Sequence, residues 1–167
     1  VSDRGIKSNS IKTTAKDMID HNYEQSDVFI IDLNSNDIDQ LTNTAYNENY
    51  PIFSNTENKL FYTADYQGTW NLFRYDLDSR KSEPITNLLT GLFQLSLTKD
   101  DGSLVFSGYS GLGWDVFRIS NPLNLKTTKI EPTNYIANRE ENDKEELVDL
   151  RKDKRKGTFA NTSDYSN

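Results

Sequence analysis

Asp27-Val28-Phe29-Ile30-Ile31-Asp32-Leu33 recurs as Asn71-Leu72-Phe73-Arg74-Tyr75-Asp76-Leu77, and again as Asp115-Val116-Phe117-Arg118-Ile119-Ser120-Asn121. The step from 27 to 71 and from 71 to 115 is 44 residues each time. Other landmarks keep the same step. Gln40-Leu41-Thr42-Asn43 answers to Pro84-Ile85-Thr86-Asn87, Leu60-Phe61-Tyr62-Thr63 to Leu104-Val105-Phe106-Ser107, and Trp70 to Trp114. An internal period of this length marks a fold built from stacked supersecondary units.

Each unit reads as four short strands. In the central one they are expected at Tyr50–Ser54, Lys59–Ala64, Asn71–Leu77 and Ser82–Thr86, all rich in β-branched and aromatic residues. Turn-forming residues separate them: Asn55-Thr56-Glu57-Asn58, Tyr66-Gln67-Gly68 and Asp78-Ser79-Arg80-Lys81. In the next unit strands are expected at Leu92–Leu97, Ser103–Gly108, Trp114–Ile119 and Lys126–Ile130, with Lys99-Asp100-Asp101-Gly102 as a hairpin turn. The first unit supplies Val28–Ile31 and Ile38–Thr42, and its earlier strands are sought in 10–26, near Met18-Ile19. Four strands per unit at this period point to a β-propeller. The fold class is therefore all-β: about two and a half to three consecutive four-stranded blades, followed by a charged, partly helical tail. A closed propeller takes roughly 4–8 blades, so the chain, which begins at Val1 without Met, is expected to be part of a larger propeller. Further blades would come in cis or in trans.

The blades resemble repeats of the TolB-like propeller family, relatives of WD-type repeats found in bacterial envelope proteins. The likeness rests on Gln40-Leu41-Thr42, Pro51-Ile52-Phe53-Ser54, Leu60-Phe61-Tyr62-Thr63, Gly68 and Trp70-Asn71-Leu72-Phe73-Arg74-Tyr75-Asp76-Leu77, and it covers 27–131. Leu95-Ser96-Leu97-Thr98 departs from it, lacking the proline and the aromatic residue. Asn121-Pro122-Leu123 followed by Pro132-Thr133 is similar to the exit of envelope proteins in which such a propeller precedes a further domain. The resemblance implies a non-catalytic scaffold module binding protein, peptide or cell-wall glycan, periplasmic or outer-membrane-associated. Its alternative is a substrate-gating propeller of a longer serine-peptidase-type hydrolase, with the catalytic domain outside this chain.

Composition narrows the partners. The net charge of −7 argues against nucleic acid, whose phosphates call for a basic face. No Cys is present, hence no disulfide or thiolate chemistry. No apolar run nears the roughly 20 residues of a membrane helix. Dinucleotide, Walker and zinc signatures are lacking, so no cofactor or metal is expected.

Individual candidates weigh toward structure. Trp70 and Trp114 read as packing between blades, with an exposed platform as the competing reading. His21 is the single histidine and has no Gly-x-Ser-x-Gly elbow to serve, so no catalytic residue is assigned and the chain is not expected to be an enzyme. Asp100, Asp101 and Gly102 read as a turn rather than a calcium loop, and Asp32 and Asp76 as turn-closing acceptors. Partner-binding residues are left unassigned. Three segments are expected: a loosely ordered 1–26, blades over 27–131, and a tail over 132–167. Acids lead and bases follow between Arg139 and Lys156, as a helix dipole favours, and 158–167 reads as disordered.

Overall fold

The computed structural model describes residues 2–4, 22–139 and 141, with side chains from residue 25 onward. Met18-Ile19, His21 and most of the charged tail lie outside the described residues. Two compact units divide between Glu131 and Pro132.

In the first unit, β1 (Ser2–Arg4) pairs antiparallel with β2 (Asn22–Asp27), and β3 (Phe29–Ile31) with β4 (Ile38–Gln40). The central repeat is a four-stranded antiparallel sheet, β5 (Glu48–Phe53), β6 (Lys59–Ala64), β7 (Asn71–Asp76) and β8 (Lys81–Pro84), in chain order. The third repeat has three strands, β9 (Phe93–Leu97), β10 (Ser103–Ser110) and β11 (Gly113–Ser120), with β10 in the middle. In the second unit, residues 134–139 are helical.

The 44-residue step survives in the backbone. The Leu41 N–H donates to the Val28 carbonyl at 2.9 Å, and Ile85 to Leu72 at the same distance. Ser54 and Thr98 each close a hairpin on Lys59 and Ser103 at 2.9 Å. Left-handed residues recur in pairs one step apart: Asn36 and Arg80, Tyr50 and Gln94, Gln67 and Gly111. Tyr50 and Gln94 sit where the pairing of β5 and β9 slips, so each inner strand carries a β-bulge.

Side-chain alternation explains the packing. Leu60, Tyr62, Ala64 and Tyr75 project from one face of the central sheet onto Val28 and Leu41 of the first repeat. Phe61, Leu72 and Ile85 project from the other face onto Leu92, Leu104 and Phe106 of the third. The second interface thus repeats the first: Leu72 stands for Val28, Ile85 for Leu41, Leu104 for Leu60 and Phe106 for Tyr62. Each fully buried Leu or Phe contributes about 2 kcal/mol, and a sheet with two apolar faces is stable only between neighbours.

Polar ties reinforce the stacking. Asp101, buried in the β9–β10 turn, accepts hydrogen bonds from Ser54 Oγ (2.7 Å), Thr56 Oγ1 (2.6 Å) and the Asn55 and Thr56 backbone N–H groups, all in the β5–β6 turn. Arg74 donates to the Leu123 and Leu125 carbonyls at 2.7 and 3.0 Å.

The expected fourth strand of the third repeat, Lys126–Ile130, is not formed there. The segment instead follows β8 of the central repeat, where the Thr128 N–H donates to the Pro84 carbonyl at 2.9 Å and Thr127 Oγ1 to Glu83 at 2.8 Å. In exact register the place of the buried Leu41 and Ile85 falls on Lys129, while the apolar Ile130, itself buried, stands one residue out of step. An ammonium cannot fill that apolar position without a large desolvation penalty.

Candidate functional site

The outward face of the third repeat is built by β10 and β11. Pairing sets Tyr109 beside Trp114, Ser107 beside Val116 and Val105 beside Arg118, on the side opposite the buried Leu104 and Phe106. Val28 is 1% exposed and Leu72 0%, whereas Val116, at the same repeat position, is 76% exposed. An apolar position that is covered twice is bare the third time.

An aromatic row runs from the central repeat to this face. Trp70 is half-buried with its ring centroid 6.3 Å from that of Phe93, and Phe93 meets Trp114 edge-on at 5.5 Å. Tyr109 packs on Trp114 at 5.9 Å. Tyr50, Phe93, Gln94, Ser107 and Trp114 line an open cleft of about 390 Å³. The Ser107 hydroxyl lies 3.0 Å from Gln94 Oε1 and 3.2 Å from the Phe93 carbonyl. Exposed aromatic rings flanked by an amide and a hydroxyl suit an apolar or planar group with one polar edge. The two tryptophans therefore part company: Trp70 packs between repeats, while Trp114 is 65% exposed.

A second feature escaped the sequence reading. Glu48 is 1% exposed, with its carboxylate accepting from Thr42 Oγ1 at 3.1 Å and Thr44 Oγ1 at 2.5 Å. Burial pushes the carboxyl up to about 7, the Thr44 and Thr42 hydroxyls counteract it, and the neighbouring Asp27 carboxylate adds repulsion. It lines a cleft of about 320 Å³ with Tyr46, Tyr62 and Tyr66. One step on, a cleft of about 470 Å³ is lined by Phe106, Phe117 and glycines, without a carboxylate. The repeat alignment held a signal for this: Glu48 and Asp27 stand where the next unit has Leu92 and Asn71, all four buried.

The remaining candidates are structural. Asp32 Oδ1 accepts from the Asn34 and Ser35 N–H groups, and Asp76 Oδ1 from the Ser79 N–H and hydroxyl, each closing the turn after its strand. Asp100 Oδ1 accepts from the Gly102 N–H within its hairpin. Among the described residues no group of three His, Cys, Asp or Glu side chains converges on a metal position, and no helix is long and apolar enough to cross a membrane.

No family model and no curated protein matches the sequence. Solved structures do match the fold. A putative TolB from Agrobacterium tumefaciens is 18% identical with a TM-score of 0.53, over 60% of this chain and 40% of that one. TolB from Acinetobacter baumannii is 15% identical with a TM-score of 0.51, over 64% of this chain and 27% of that one. The chain thus has the TolB-like propeller fold and spans well under half the length of these relatives.

Proposed function

We propose that the chain is a non-catalytic binding and scaffolding module of the bacterial cell envelope. The outward face of the third repeat docks a protein, a peptide, a cell-wall glycan or a further blade. The observation that carries this reading is the exposure of Val116 at 76%, where its repeat equivalents are sealed. The opposite end of the stack supports it: Ile31 is 55% exposed, while Tyr75 at the same repeat position is buried. Neither surface needs a reactive residue to bind. The envelope placement follows from the resemblance of the repeats to TolB-like ones, and fold alone does not fix it.

These 167 residues contain no cysteine, which gives a direct test. Val116→Cys and Leu112→Cys, the latter at a hairpin tip that is 98% exposed, are labelled in intact cells with a bulky maleimide that cannot cross the inner membrane. Docking in the cell slows labelling at position 116 about tenfold or more relative to 112. Equal rates at both positions refute docking through this face. Labelling of neither position until the inner membrane is lysed refutes the envelope placement.

A further inference from the structure

We propose that the outer edge of β11 is an acceptor for one extended polypeptide strand of the pattern acidic–x–Leu/Ile–Thr. This rests on the docking reading of the same face and specifies its partner.

The first two repeats define the pattern. Their outer strands β4 and β8 pair in identical register, Phe29 with Gln40 and Phe73 with Pro84, Ile30 with Asp39 and Arg74 with Glu83. Both carry an acid at the second of these positions, then an aliphatic residue two places on, Leu41 or Ile85, that is buried. The next residue is threonine in both. Thr42 Oγ1 accepts from the Val28 N–H and Thr86 Oγ1 from the Leu72 N–H, each at 2.8 Å. Thr86 in turn donates to Asn71 Oδ1 at 3.0 Å, and Glu83 pairs with Arg74 at 3.1 Å.

β11 presents the complementary groups at the same step. Val116 offers the backbone N–H for the threonine and the carbonyl for the aliphatic residue. Asp115 stands at the place of Asn71, as an acceptor for the threonine hydroxyl, and Arg118 at the place of Arg74, facing the acid. Among the described residues β11 is the edge of its sheet, and the exposed Val116 side chain is where the Leu or Ile would pack. The chain's own segment does not take this place: in the same register it carries Thr127, Lys129 and Ile130 at the acidic, aliphatic and threonine positions, and it is held along β8 instead. Strand addition to an open edge takes affinity from the main chain and specificity from alternate side chains.

The test uses a fluorescein-labelled peptide with the sequence of residues 80–88, titrated into the full chain by anisotropy. Saturable binding is expected. Arg118→Glu should weaken it about tenfold, since one partner of a charge pair is reversed. The peptide with Glu83→Lys should restore most of that loss against R118E, and the peptide with Ile85→Lys should not bind. Circular dichroism of R118E checks that the exposed substitution leaves the fold intact. No saturable binding, or indifference to R118E, overturns the proposal. So does a dimer in light scattering that V116K disperses, because a second copy would then hold the edge. If position 116 is protected in cells yet the peptide does not bind, docking stands and the strand acceptor falls. Peptide binding with 116 labelled as fast as 112 reverses that outcome.

Discussion

Glu48→Gln should turn a pH-dependent protein into one far less dependent on pH between 5 and 8. The carboxyl is held by burial at about 7 against an ordinary value of 4.5. At about 1.4 kcal/mol per pH unit, that difference amounts to about 3 kcal/mol. The sign follows from proton occupancy. Between 4.5 and 7 the folded state keeps a proton that the unfolded chain has released. The stabilising contribution is complete below 4.5 and is lost as pH rises through 7, so at pH 8 the wild type carries a buried, repelled carboxylate. Glutamine keeps an oxygen for Thr42 or Thr44 and turns its amide toward Asp27, imitating the protonated acid. Urea unfolding of both proteins should therefore give equal stability near pH 4.5, with the variant ahead by about 3 kcal/mol at pH 8. In thermal melts that advantage corresponds to roughly 10 °C. A gap that is the same at every pH would mean that packing, not ionisation, separates the two proteins. A wild type more stable than the variant at pH 8 would refute the reasoning outright.

Asp101 should behave in the opposite way. Burial raises its pKa, but donors from Thr56, Asn55 and Ser54 outweigh burial and hold the carboxyl below the ordinary range. Asp101→Asn should cost about 2 kcal/mol at pH 7, and less as pH falls below 3.8, where the wild type loses the same contribution; equal costs in urea at pH 7 and pH 3 would show that charge does not join these hairpins. Trp70→Ala should lower the urea midpoint by the equivalent of about 2 kcal/mol and Trp114→Ala by less than about 1 kcal/mol, and a reversed ranking would overturn the division between packing and display. Leu72→Lys should unfold the chain, whereas Val116→Lys, one repeat later, should stay within about 0.5 kcal/mol of wild type by circular dichroism and urea melts.

Much of the fold was legible because it is local or periodic. Strand identity follows from alternation, as in Leu60, Tyr62 and Ala64 against Phe61 and Thr63. The turns after Asp32 and Asp76 close on side-chain acceptors two or three residues away, so their chemistry is contained in the turn itself. The 44-residue step announces stacking, since a unit with two apolar faces must meet another on each. The candidate docking face was less legible: Trp70 and Trp114 are the same residue at the same repeat position, and the sequence gives them one reading.

The repeat, the order of its first three strands and the residues that each sheet turns to its two sides can be read along the chain, because hairpin pairing and side-chain alternation are properties of short segments. Tertiary structure alone decided which of those sides is covered. It buried Leu72 and bared Val116, sealed Glu48 beside Asp27 where the next repeat places Leu92 and Asn71, and moved Lys126–Ile130 from its own sheet to the edge of β8. Burial and the strength of a charge depend on what stands across the gap between repeats, whereas the change of strand partner also follows from Lys129, a residue of the segment itself.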